Sequence, residues 1–503
     1  RDLYPPTRVC MNPKCSMSPL GEPKMHEATL FTLDSGVLPI WTISLYCQKC
    51  LTRYYHDYYV HDHTSIRTYY SGVPDIIQVA QHFFIETRLL QFWGTSTLFA
   101  ATSASNHTDT YNKELSRSHR LPPIYDKHLL LTTEHVWDGF FMHSLLMEMA
   151  EKGLRLELPH DCPQEVRLRA ALEARNASYV GFGQEEWNHA CNLCTKYHKD
   201  DDGNIVGKTQ TLVMDGVTLG HPVCKERNCK IPHQENYCHE HRDLIHVCVV
   251  RGCSARSDEG FRTSSLPSHC AFDDRCAIQQ KAIFQLQGRF KRDEADTSPP
   301  KKLCADYGRA RIHNEFVCLH PCGVMTCQAP MWGSEALSGD ILKATCPTPE
   351  SRSDINVFDN ACGLKQHLEA QGDHFFDGCE FIVDVFHFKT KHKESHGYCG
   401  QNCNPHSLWD MIDENGNWTF NTSIAEQTNV WLGSFLPICR EMLSDRYNFF
   451  LDEMVKRRNR WIVAQLEAKG HAPLLIPRQA LGVQDVQPFQ VDAASKLIPA
   501  CIP

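Results

Sequence analysis

Two periods of apolar spacing divide the chain. Near the N-terminus, Ala28 to Leu33 and Val37 to Tyr46 read as strands joined at Asp34-Ser35-Gly36, the layout of a hairpin. The segment TRYYHDYYVHDH alternates and predicts a further strand, although Tyr54, Tyr55, Tyr58 and Tyr59 are also the kind of residue that stacks on bases. From Pro74 to about Phe92 the spacing of Ile76, Ile77, Val79, Ala80, Phe83, Phe84 and Leu90 predicts a helix. Thr102 to Thr110 is polar and predicts a loop. From His128 to Glu173 helices follow, broken near Pro159, with Trp137, Phe140, Phe141, Leu145, Leu146 and Met149 on one face.

A short apolar run, Thr211 to Met214, then closes on Asp215-Gly216. Taken locally this is a buried strand that ends in a turn or in a functional acid. Beyond a charged, proline-containing stretch from Arg289 to Lys302, expected to be a linker, strands and helices resume. Phe316 to Leu319 and Val324 to Gln328 predict a hairpin around Pro321-Cys322-Gly323, and Ser334 to Lys343 a helix. Asp354 to Phe358 predicts a strand ending on Asp359, Leu364 to Ala370 a helix, and Phe381 to Phe386 a strand carrying Asp384 and His387. Asn421 to Trp431 predicts a helix bearing Glu426. Arg440 to about Leu466 predicts a long amphipathic helix with Tyr447, Phe450, Leu451, Met454 and Trp461 inward and Lys456, Arg457, Arg458 and Arg460 outward.

That element order, with one long interruption after the first strand, is the order of an α/β, ribonuclease H-like domain. In such a fold the first and fourth strands lie side by side, so Asp215 and Asp359 would converge with Glu426 from a later helix. Three carboxylates suit paired hard cations, Mg2+ or Mn2+, that hold the attacking and leaving oxygens of a phosphodiester.

Composition adds a second chemistry. The 503 residues include 25 cysteines and 28 histidines, many in C-x2-C, C-x4-C and C-x2-H spacings that match the edges of a zinc tetrahedron. Cys10, Cys15, Cys47 and Cys50 bracket the N-terminal hairpin as a zinc ribbon would. Cys224, Cys229, Cys238, His241, Cys248, Cys253, His269 and Cys270 crowd a segment without hydrophobic pattern, enough ligands for two zinc sites. Cys191 and Cys194 are a half-site that zinc binding would need to complete from elsewhere. The formal charge of -9 argues against a protein that coats nucleic acid over its whole surface but leaves room for local basic faces such as Lys456 to Arg460. No apolar run reaches membrane-spanning length and no signal segment is evident, so neither a membrane partner nor secretion is expected.

The motifs VFDNACGL, VDVFHFKTKHKES, CNP and FNTSIAEQTNVWLG, with SLYCQKCLTRYYHDYY, GQEEWNHACNLC and DEMVKRRNR, resemble those of the Kyakuja-Dileera-Zisupton (KDZ) transposases and their cysteine clusters, known mainly from basidiomycete fungi. The resemblance runs from about Cys10 to Trp461. It implies a nuclear DNA transposase with an Asp-Asp-Glu core formed by Asp215, Asp359 and Glu426. It also implies a supporting Asp384-His387 pair, partners in transposon-end and target DNA, and a homo-oligomer in the active complex. One departure stands out: the thiol expected after Thr263 is Ser264, so that either Cys270 substitutes beside His269 or the second zinc site is weakened.

The expected organisation is a zinc-ribbon-like cluster (1–73), a helical region (74–205), the first part of the catalytic core (206–222), a zinc-binding insertion (223–277), a linker (278–303), the rest of the core with its C-terminal helix (304–468), and a disordered tail (469–503). Two other functions fit parts of the pattern. One is a transposase-derived zinc protein that binds DNA or chromatin without catalysis; the other is a RING-type ubiquitin ligase.

Overall fold

A computed structural model describes residues 2–15, 17–61, 64–117, 129–224, 226, 229, 231, 237–250, 252–259, 261–279, 311–331, 339–390 and 396–484. The expected linker lies almost entirely outside these residues, as does the tail beyond 484.

The N-terminal sheet has nine strands: β1 (Asp2–Leu3), β2 (Gly21–Thr32), β3 (Gly36–Tyr46), β4 (Arg53–Tyr54), β5 (Tyr58–Val60), β6 (Ile66–Tyr69), β7 (Ile76–Ala80), β8 (Phe83–Glu86) and β9 (Glu157–Pro159). Its order is β7-β8-β2-β3-β4-β5-β6-β9, with β1 parallel to β3. The long β2–β3 hairpin turns where expected. Gly36 there has φ +76°, and a β-carbon would collide with the Ser116 carbonyl, so glycine is required twice over. The tyrosine-rich segment forms β4 and β5 with Tyr54 and Tyr58 buried, which makes it sheet rather than an open stacking surface.

Two expectations change here. Pro74 to Phe92 is a β7–β8 hairpin followed by the helix Thr87–Ala100, and the helix-like spacing arises because both faces of β7 and β8 are largely covered. The sheet therefore crosses the boundary expected at residue 73. Thr102 to Thr110 is not a loop: Ser103 caps a helix over Ala104–Thr110, its side chain accepting from the Asn106 N–H.

The second sheet comprises β11 (Thr195–Lys199), β12 (Ile205–Val217), β13 (Asn314–Leu319), β14 (Met325–Met331), β15 (Ile355–Phe358) and β16 (Glu380–Ile382). A short pair, β10 (His189–Ala190) with β17 (Leu474–Leu475), stands apart. The main order is β14-β13-β12-β15-β16, with β11 on the first half of β12. The three strands β12, β13 and β14 run antiparallel to one another in succession, whereas β15 is parallel to β12 and β16 to β15. The zinc-rich segment is inserted between β12 and β13.

Alternation along these strands separates two buried layers. Val213, Val217, Ile355, Val357 and Ile382 face the helices Ile424–Gly433 and Ser444–Ala468, while Leu212, Met214, Phe358, Phe381 and Val383 face Gly339–Thr345 and Ala361–Gln371. Helices therefore cover both faces, as a sheet with a parallel half requires. The strand expected to run to Phe386 ends at Ile382, because the Asp384 carboxylate accepts from the N–H groups of Phe386 and His387 and starts the helix Val385–Thr390. The long C-terminal helix begins at Ser444, later than Arg440, and Trp461 on it is 47% exposed rather than inward.

Arg175 joins the two halves. It is fully buried, 3.1 Å from Glu148 and 3.3 Å from Asp452, with its guanidinium 3.6 Å from the centre of the Tyr179 ring. Residues 469–484, expected to be disordered, are held by β17 and by the Thr348 hydroxyl, which donates to the Leu481 carbonyl.

Candidate metal centres and carboxylate site

Strand register and parity decide where the acids point. Met214 of β12 pairs with Phe358 of β15, so Asp215 and Asp359 are the next residues on neighbouring parallel strands. Asp215 shares its face with Val213 and Val217, Asp359 with Ile355 and Val357, and Asp384 with Ile382. All three therefore point to the layer that holds the helix Ile424–Gly433, where Glu426 lies in the first turn. Asp215 is not at a turn. The strand continues past it, and Asp215 pairs with Val317 while its partnership with β15 ends.

His387 gathers the other acids. Its Nδ1 lies 2.8 Å from Asp359 Oδ1, 3.2 Å from Asp384 Oδ2 and 3.3 Å from Glu426 Oε1. One ring nitrogen can donate to only one of these oxygens at a time. Asp384 Oδ1 and Glu426 Oε2 are buried without a hydrogen-bond partner. Burial, followed by the neighbouring Asp384 and Asp359 charges, pushes the Glu426 carboxyl above its usual range, against the opposing pull of His387. Asp215 is reached through Asn429, one helical turn from Glu426, whose Nδ2 donates to Asp215 Oδ2 at 2.6 Å; the other oxygen, Oδ1, accepts from the Gly216 N–H at 2.7 Å. Nothing in the sequence marked Asn429, since an asparagine on a helix face carries no signature of its own.

Thiolates and imidazoles assemble into separate groups whose ligand atoms lie within 4.8 Å of one another. Cys10, Cys15, Cys47 and Cys50 form one below the β2–β3 hairpin, braced by Tyr54, whose hydroxyl is 3.3 Å from Cys10 Sγ. Cys191 and Cys194 are completed by His189 and by Cys322, the latter from the tip of the β13–β14 hairpin. The contributing signals were H-x-C-x2-C and a cysteine held between proline and glycine in the turn, but only the fold shows that they meet. In the insertion, Cys224, Cys229, Cys238 and His241 make one group, while Cys248, Cys253 and His269 make a second with three ligands. The two sets are used in sequential blocks.

Cys270 does not fill the fourth place. Its thiol faces the Ser264 carbonyl at 3.4 Å, and the buried Ser264 hydroxyl occupies the gap, 3.1 Å from His269 Nδ1 and 3.8 Å from Cys253 Sγ. The helix Pro267–Gln279 presents His269 inward and turns the next residue away.

Of the four cations expected to face outward, only Arg460 is exposed, and all four have partners within the fold. Lys456 is buried and pairs with Glu151 at 3.1 Å and Glu185 at 3.0 Å, and Arg460 reaches the same two acids. Arg457 pairs with Glu453 at 2.7 Å, and Arg458 donates to the Gly323 carbonyl at 2.8 Å while lying over the Trp431 ring. These charges hold the helix in the fold because the surrounding elements supply acids and carbonyls at each turn.

The protein is thus a mixed α/β protein that joins several Cys/His groups that could hold zinc to a convergent carboxylate cluster. Two family models match it: a CxC5-like cysteine cluster associated with KDZ transposases over residues 1–115, and a CxC6-like cysteine cluster associated with KDZ transposases over residues 213–275. Each covers less than half of the chain, and both relate its cysteine clusters to those found with KDZ transposases. No curated protein and no solved structure matches it. Among the described residues, no helix is long and apolar enough to cross a membrane.

Proposed function

We propose that residues 205–468 form the ribonuclease H-like, Asp-Asp-Glu core of a DNA transposase that performs phosphodiester hydrolysis and strand transfer at transposon ends in the nucleus. The observation that carries this reading is the convergence of Asp359, Asp384 and Glu426 on one imidazole, with Asp215 tied to the same helix through Asn429. The strand order β14-β13-β12-β15-β16, antiparallel on one side of β12 and parallel on the other, supports the fold assignment. Ligands of such sheets gather beyond the carboxyl ends of the parallel strands, where these acids lie.

The donors fit Mg2+ or Mn2+. They are oxygens, they crowd one another, and two of them are buried without a partner, an arrangement that costs free energy until a hard cation shares it. Asp215, Asp359 and Glu426 would hold the cations, with Asp384 and His387 beside them. The chemistry supplied by a bound pair is activation of water or a 3'-hydroxyl and stabilisation of the leaving oxygen. The chain itself contributes alignment. Asn429 fixes the rotamer of Asp215, Gly216 caps its other oxygen, and the imidazole of His387 keeps the like-charged carboxylates within reach of one another. DNA is the partner, and a homo-oligomer the active form, in this reading. The sequential ligand blocks of the insertion argue against a ubiquitin ligase of the RING type, whose cross-braced zinc sites interleave their ligands.

The test is nicking of supercoiled DNA by the zinc-loaded chain in Mg2+. Wild type should nick, whereas Asp215→Asn, Asp359→Asn and Glu426→Gln should each lose at least about 100-fold. Equal activity in these variants, or in EDTA, would refute the proposal.

A further inference from the structure

One Cys/His group lies apart from the four described above. Cys362 and Cys399, both buried, and the exposed His396 bring two sulfurs and a ring nitrogen within 4.8 Å of one another. Cys362 stands in the first turn of the helix Ala361–Gln371, three residues after Asp359. Cys399 stands on the helix Gly397–Asn402, and His396 is the residue immediately before that helix. The H-x2-C spacing sets two donors on one turn, and packing of the two helices brings the third.

Apolar packing explains the thiols, which share a buried layer with Leu364, Leu368 and Phe381. It does not explain an imidazole that is exposed to solvent yet has a ring nitrogen beside both of them. Two thiolates with one imidazole are soft and borderline donors, a set that selects zinc over magnesium or calcium. We infer that Cys362, His396 and Cys399 hold a zinc ion that fastens the segment carrying Asp359 to the segment that follows Asp384.

The backbone supports that placement. Cys403, one turn beyond Cys399, donates its N–H to the Cys399 carbonyl at 2.9 Å and accepts at its own carbonyl from Val383, the residue before Asp384, at 3.0 Å. A cation on Cys362 and Cys399 therefore connects, through few bonds, the strand ends that present Asp359 and Asp384. Because His396 is exposed, the fourth coordination position is left to solvent or to Cys403. The site is a structural clamp, and its existence does not depend on phosphodiester chemistry.

Zinc content and chelator release, measured on the full chain, test it. In His396→Ala, whose side chain is exposed, one equivalent of zinc should leave to a colorimetric chelator at least about tenfold faster than from wild type, with far-UV circular dichroism unchanged. Cys399→Ser should contain one zinc fewer per chain. Wild-type zinc content and release kinetics in His396→Ala would overturn the inference, and that variant decides the matter even where Cys399→Ser does not fold. Because the readout is metal, a failure of DNA cleavage leaves this result standing on its own.

Discussion

Asn429→Ala removes a side-chain hydrogen bond between the Glu426 helix and Asp215, and so probes the geometry that joins the first acid to the last. The bond runs from an amide N–H to a carboxylate at 2.6 Å in a part-buried position. A hydrogen bond to a charged group is worth about 1.5–3 kcal/mol, which corresponds to roughly 10- to 150-fold in rate if it is realised in the transition state. Asp215 keeps the Gly216 N–H on its other oxygen, so the acid is loosened rather than released and the expected loss lies near tenfold. It should appear in kcat for Mg2+-dependent DNA nicking, with KM for DNA little changed, because Asn429 positions an acid and is not expected to touch DNA. Asn429→Asp should be worse than alanine, since a carboxylate cannot donate and sets a like charge against Asp215. Zinc content serves as the control for folding. An Asn429→Ala protein with full zinc and nicking within twofold of wild type would refute the idea that Asp215 is held through this helix.

Ser264→Cys should supply the thiolate missing from the second insertion site: wild type should lose that zinc to a chelator before the Cys3His sites, and the variant should retain it, whereas Cys270→Ala should leave zinc content unchanged. A single release phase unaffected by Ser264→Cys would count against the three-ligand assignment. Glu315 gives a pH prediction. It is buried against Tyr447, which donates to it at 3.0 Å, and burial pushes its carboxyl up to about 8 from the usual 4.5. The folded value is raised, so this contribution to stability is fully present below about 4.5 and is lost as pH rises through about 8; the loss is on the order of 5 kcal/mol. Glu315→Gln should flatten that decline in denaturant titrations between pH 5 and 9, and an unchanged slope would show that Glu315 is not the group responsible.

Much of the fold was legible because its signals were local. The hairpin at Gly36, the strand closing on Asp359 and the helix around Glu426 each follow from spacing and turn residues within about ten positions. The cysteines and histidines of three of the Cys/His groups were likewise visible from short spacings, though not how those of the insertion divide between two groups. What escaped depended on contacts between distant segments. Ile76 to Phe84 shows helical spacing only because a sheet strand with both faces covered has no polar face to betray its period. Cys322 and His189 are 133 residues apart, and only the β13–β14 turn brings them together. Lys456 and Arg460 looked like part of a solvated basic face because Glu151 and Glu185, which pair with both, lie some 300 residues earlier in the chain. The amide of Asn429 and the hydroxyl of Ser264 acquire their roles from neighbours that spacing does not reveal.

In the proposed catalytic core the acids from Asp215 to Glu426 bind divalent cations jointly. Mn2+ binding to the zinc-loaded protein, followed by electron paramagnetic resonance, tests it most directly. Shared coordination requires that Asp359→Asn and Glu426→Gln each abolish most of the bound Mn2+ while leaving zinc content unchanged, and that the double variant lose no more than either alone. Mn2+ binding that survives both substitutions, or that falls by independent, additive steps, would contradict a common site.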